Sequence, residues 1–131
     1  PSGPALAAAA MEIADIDGDS PLSVLRRKLQ PLPIEGRHVD EAAQAGDPDA
    51  IRILANASTA IASAAVDLVN VFNPCLLVLG GSVVRAHPDW IAEAGDSVAA
   101  SALHPGNATA RVVAAGLGDD GGLLGAALLV P

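Results

Sequence analysis

The chain has 131 residues, of which 51% are hydrophobic but only 2% aromatic, and its formal net charge is −8. That length makes one domain or a piece of one, and the acidic balance argues against a chain that itself grips nucleic acid, which needs a basic face. A single cysteine excludes an internal disulfide and a cysteine-based zinc site within the chain. No unbroken apolar run reaches the roughly 18 residues that span a bilayer, and no signal peptide is visible, so a cytoplasmic protein with no membrane partner is expected.

The chain begins at Pro1 without a methionine, directly at a helix start, and reads as a fragment of a longer polypeptide. Ser2 can cap and Pro4 suits a first turn, which predicts a helix over 3–14. The acidic, glycine-containing residues 15–20 read as a loop. Ser20-Pro21 opens a helix over 21–30, with Leu22, Leu25 and Leu29 on one face. Arg26, Arg27 and Lys28 at its end read as cations that suit the helix dipole. Pro31 and Pro33 end it, and 34–37 is predicted loop.

A two-turn helix is predicted over 39–45, ending at Gly46. Asp47 as cap and Pro48 at the first helical position then start a long helix over 48–72. Its predicted apolar stripe is Ile51, Leu54, Ala57, Ile61, Ala65, Leu68 and Phe72. Asn73-Pro74 stops it. The five apolar residues 75–79 read as a buried parallel strand, and Gly80-Gly81 follow at its carboxyl end. In open α/β sheets ligands sit just beyond such ends.

Residues 83–87 read as a connection, and 88–103 as a helix with Trp90, Ile91, Ala94, Val98 and Ala102 on its core face. After a turn at 104–107, residues 110–115 read as a second buried strand, centred on Val112 and Val113. A loop over 116–122 leads to a last helix over 122–130. Right-handed crossovers make the two strands parallel. A stable sheet usually needs three or more, so further strands are expected from upstream or from a second chain.

The segments GDPDAIRILANASTAIASAAVDLVNVFNPCLLVLGGSVV and LGDDGGLLGAALLV resemble the carboxyl-terminal part of the ROK family of bacterial sugar kinases and sugar-responsive repressors. The opening SGPALAAAA is similar to the helix that follows that family's cysteine-rich zinc loop. The resemblance implies a partial ribonuclease-H-like (actin-like ATPase) lobe over 1–131, treated as one domain. In the kinases the turn matching Gly80-Gly81-Ser82 lies against the nucleotide. The resemblance therefore implies cofactor contacts to ATP at Gly80, Gly81 and Ser82, and at Gly121 and Gly122 before the last helix. Ser82 stands where kinases commonly have a third glycine.

The catalytic aspartate, most sugar contacts and the zinc ligands of the family match nothing in this chain. The resemblance thus implies no catalytic residue, no metal and no kinase activity for these residues alone. Val69-Asn70-Val71-Phe72-Asn73-Pro74 is similar in wording to the repressor branch. The expectation is a sugar-sensing and oligomerising segment of a ROK-type transcriptional regulator, whose DNA contacts belong to a winged helix outside this chain. The alternative is the nucleotide-binding segment of a ROK-type sugar kinase; a purely structural lobe is the third reading. The partners implied are a sugar or sugar phosphate and either a second copy or the missing amino-terminal segment.

The remaining polar suspects read as structural. Cys75 at a strand start is expected to be a small core hydrophobe. His38, His87 and His104 fall at helix boundaries or in loops without metal-ligand spacing, as surface or capping residues. Asp119-Asp120 reads as a turn and helix start rather than a cation loop. Trp90 reads as a core or edge anchor.

Overall fold

The computed structural model describes residues 2–16 and 20–129, with Ile16 and Asp119 described by their backbone alone. The elements run α1 (Gly3–Ile16), α2 (Pro21–Leu29), α3 (Gly36–Gln44), α4 (Pro48–Phe72), β1 (Leu76–Leu79), α5 (Ser82–Ala86), α6 (Asp89–Ser101), α7 (Gly106–Thr109), β2 (Arg111–Ala114), a 3-10 turn (Gly118–Asp120) and α8 (Gly121–Ala127). Two compact units are distinguished, Pro1–Ala60 and Ile61–Pro131, and the boundary falls inside α4.

In the first unit α1 packs on α2 and α3. Its small residues make this possible: Leu6, Ala7, Ala10 and Ala14 are buried, together with Leu22, Ile34 and Val39. An added Cβ on Gly36 would lie 3.1 Å from the Cα of Gly3. The predicted cap of α2 is present, since Ser20 Oγ accepts the Ser23 N–H at 3.1 Å. The Ser23 hydroxyl in turn donates to the Ala14 carbonyl at 2.8 Å, tying α2 to α1. Arg26, Arg27 and Lys28 fill the last turn of α2, and Arg26 pairs with Asp15. The predicted loop at 15–20 is corrected in part: Asp15 and Ile16 still belong to α1, and residues 17–19 lie outside the described residues.

Gly36 and Arg37, predicted as loop, are helical, because the start of α3 is fixed by a reciprocal cap. The Glu35 N–H donates to His38 Nδ1 at 2.9 Å, and the His38 N–H donates to the Glu35 carbonyl at 3.0 Å. His38 is therefore a buried capping residue. At the other end, Gly46 has φ +88°, and the Gly46 and Asp47 N–H groups donate back to the Ala43 and Ala42 carbonyls. This left-handed stop needs glycine.

Asp47 Oδ1 accepts the N–H groups of Asp49 at 2.9 Å and Ala50 at 3.0 Å, so α4 starts where the sequence places it. Asp47→Ala is expected to lower the unfolding free energy by about 1 kcal/mol, read as a lower urea midpoint. The buried stripe of α4 is Ala50, Ile53, Ala57, Ile61, Ala65 and Val69. This corrects the predicted stripe in part: Ala57, Ile61 and Ala65 belong to it, but Ile51, Leu68 and Phe72 are 48%, 40% and 70% exposed. The prediction followed bulk, whereas the fold buries an alanine-rich face that lets backbones approach. By length and composition α4 is also the one described helix apolar enough to cross a bilayer. Counting unbroken runs missed this because serines and asparagines interrupt it.

In the second unit β1 and β2 form a two-stranded parallel sheet in which Leu76 pairs with Arg111 and Leu79 with Ala114. The parallel pairing agrees with the sequence reading; the burial does not. Leu76 and Val78 are 51% and 52% exposed, and Cys75 is exposed with a free thiol. Strands with one neighbour keep an open edge and open faces, so neither β1 nor Cys75 is core, and β2 is not buried either, with Val112 and Val113 only half-buried. Since Cys75 is the sole cysteine, native protein is expected to react with one equivalent of a thiol reagent without denaturant.

α6 packs on β2 and α7. Of its predicted core face, Trp90, Ala94, Val98 and Ala102 are buried, whereas Ile91 is half-buried. Residues 83–87 are not a plain connection, because Ser82–Ala86 form α5. The predicted turn at 104–107 runs into α7. Gly106 lies against α4, where an added Cβ would come within 2.6 Å of Val69 Cγ1. α8 ends at Ala127, short of the predicted 130, and Val130 lies outside the described residues.

Candidate functional site

A candidate site lies where both strands end. The Ala115 N–H donates to the Leu79 carbonyl at 2.8 Å, so the two strands stay paired to their carboxyl termini. Beyond that bond lies a cavity of about 170 Å³. Gly80 and Gly81 from the β1 turn, Ala115 after β2 and Gly118 line it together with Val84, Arg85, Pro88 and Ile91.

The two glycines of the turn are needed for different reasons. An added Cβ on Gly80 would meet the Ala115 Cβ at 3.1 Å, so close strand spacing excludes bulk there. Gly81 has φ +111° and ψ 164° and nothing within 4 Å of its added Cβ. Its requirement is conformational, since that backbone region is essentially restricted to glycine. Gly118, at φ +54°, turns the chain after β2.

Of the sequence-predicted site residues, Gly80 and Gly81 line this cavity. Ser82 does not; it opens α5, next to the wall. Gly121 and Gly122 open α8 and also stand outside the lining. Arg85 and Gly118 were missed. Arg85 could have been found as the residue four positions after Gly81 on a short helix, but that stretch was read as a connection. At the margin, His87 stacks on Trp90 with ring centroids 4.2 Å apart and an interplanar angle of 8°. Among the described residues no group of three or more His, Cys, Asp or Glu could hold a metal ion.

The first unit has a larger hollow of about 550 Å³ between α2 and α3, lined by Val24, Leu25, Lys28, His38 and Glu41 among others. Its buried groups are already used: His38 caps α3 and Asp47 caps α4. The strand-end cavity fits the general rule for α/β ligand sites better. It is small beside the 300–1,000 Å³ or so of a typical ligand pocket, so it can seat only part of a ligand.

Fold and site define a segment of an α/β protein that presents a glycine-lined hollow at the ends of parallel strands. The profile of the ROK family matches residues 1–131, and the chain belongs to that family. It is 30% identical over 100 residues to a glucokinase of Thermotoga maritima, a match that covers 76% of this chain and 32% of the glucokinase. Its fold is similar to a crystal structure from Cytophaga hutchinsonii described provisionally as a sugar kinase, with a TM-score of 0.70 at 23% identity. That likeness covers 98% of this chain and 41% of the other. The chain thus spans about a third to two fifths of the length of these relatives.

Proposed function

We propose that these residues are the nucleotide-facing segment of a ROK-type, ATP-dependent sugar kinase built on an actin-like ATPase fold and working in the cytoplasm. The observation that carries this reading is the cavity at the ends of β1 and β2, lined in part by Gly80 and Gly81. Both relatives reported above carry kinase names, which supports it. Phosphoryl transfer depends chiefly on positioning and on stabilising charge. Glycines that let a backbone approach closely serve the first. Arg85, a residue of the cavity lining, carries a positive charge of the kind that serves the second. No group here is assigned as catalytic base, and most of the sugar contacts belong to residues outside this segment.

A second reading, the sugar-sensing segment of a ROK-type repressor, rests on the wording Val69 to Pro74 and on Ser82. In that case sugar binding shifts an oligomer between two geometries and so changes operator affinity. The structure gives the two asparagines local roles that need no regulator. Asn70 Oδ1 accepts the Leu103 N–H at 2.7 Å. Asn73 takes φ +45°, a left-handed position where asparagine is the common non-glycine choice. Ser82 sits in a helix, where a third glycine is not required.

The test is hexose-dependent ADP formation by the full-length gene product. The kinase reading expects turnover, with KM for ATP raised about tenfold, a loss of about 1.4 kcal/mol, in Val84→Phe, whose ring would fill the cavity. Sugar-dependent operator binding without ADP formation would establish the repressor instead.

A further inference from the structure

α2 and α3 both pack on α1 and leave a hollow of about 550 Å³ between them. On α2 it is lined by Pro21, Val24, Leu25 and Lys28, and on α3 and its cap by His38, Glu41, Ala42 and Ala45. Each set has the i, i+3, i+4, i+7 spacing of a packed helix face. Here the two faces meet open space, of a volume typical for small-molecule sites.

The polar groups on these walls fix the chemistry. His38 is 9% exposed. Its Nδ1 accepts the Glu35 N–H at 2.9 Å, so the ring proton sits on Nε2. Among the described residues nothing accepts that proton. Nor is Nε2 sealed in protein, since the described side-chain atoms buried without a partner are Asp47 Oδ2 and Asn107 Oδ1. A donor on a nine-tenths buried ring thus opens on the hollow that His38 lines. Lys28 and Glu41, both exposed, add a cation and an anion that no described ion pair uses. Asp47 takes no part. Its Oδ1 caps α4, which offsets its charge, and its Oδ2 is out of reach.

A ligand that matches this set carries a carboxylate for Nε2–H and Lys28, an ammonium for Glu41 and an apolar body for Pro21, Val24 and Leu25. An anion alone leaves Glu41 unmatched, and a cation alone leaves both donors unmet. His38 and Glu41 are three apart on one helix face and hence neighbours, so the two charged groups lie close together on the ligand. We propose that the hollow between α2 and α3 binds a free α-amino acid with an apolar side chain. The site lies wholly within residues 21–48 and is independent of the nucleotide reading.

Calorimetric titration of the full-length gene product tests it, with L-leucine, L-valine, L-methionine and L-phenylalanine as probes. At least one should bind saturably, with a Kd of about 1 mM or tighter. Its two singly charged analogues, the acid without the amino group and the amine without the carboxyl group, should bind at least about tenfold more weakly. Lys28→Met and Glu41→Gln should each raise Kd about threefold or more. Both side chains are exposed, so the thermal midpoint should hold. Failure of all four amino acids to bind would overturn the proposal. So would an analogue that binds as tightly as its parent, or unchanged affinity in Lys28→Met and Glu41→Gln. None of these readouts depends on nucleotide, so a failed kinase assay leaves the inference standing.

Discussion

Replacing Trp90 by alanine is expected to destabilise the second unit by about 3–5 kcal/mol, the usual cost of deleting a buried large aromatic side chain. The indole is 5% exposed and lies on the buried face of α6 with Ala94 and Val98, stacked on His87. The reason for a large effect lies in the composition. The chain has one Trp, one Phe and no Tyr, and Phe72 is exposed. The buried neighbours are alanines and β-branched residues, which are too short or too stiff to close the cavity. Trp90→Phe should cost markedly less, because most of the ring remains. The check is urea unfolding followed by circular dichroism, since the substitution removes the sole tryptophan. A shift below about 1 kcal/mol for Trp90→Ala would show that the ring is not a core element.

Gly81→Val is expected to act on both stability and function, by a mechanism that Gly80 does not share. At φ +111° and ψ 164° a side chain strains the backbone by roughly 1–3 kcal/mol. Space is not the issue, because nothing lies within 4 Å of the added Cβ. A D-alanine placed there by semisynthesis should therefore restore the stability that L-alanine loses, since its preferred φ is positive. Gly80→Ala should be felt through contact, as its Cβ meets the Ala115 Cβ at 3.1 Å. Under the kinase reading, a Gly81 turn forced away from its present backbone should cost the full-length gene product about tenfold or more in kcat/KM, or about 1.4 kcal/mol of transition-state stabilisation. Unchanged turnover in Gly81→Val, with the stability loss present, would separate this turn from the site.

Much of the local structure was legible because its signals are local. Ser20, Asp47 and Pro48 mark helix starts through bonds that reach two or three residues. Gly46 marks a stop through its own φ. The core face of α6 follows from helical spacing. The cap of Glu35 and His38 was equally local but read only in part, as a surface or capping role for His38, because neither residue is among the usual N-cap types. Of the cavity lining, Gly80 and Gly81 were singled out from their place after an apolar strand. Gly118 and Arg85 were not, because they meet that turn only after β2 and α5 have folded against it.

The short helices α5 and α7 were read as a connection and a turn; what the sequence determined by itself was the order of the longer helices and the two strands, the parallel sense of the pair and the glycine turn. Each follows from periodicity, from caps or from a backbone conformation that only certain residues adopt. Only the tertiary structure decided which face of α4 is buried, and that Leu76, Val78 and Cys75 stand at an open edge. Burial depends on what lies opposite, and a strand's own residues say how apolar its neighbours must be, not whether they are present.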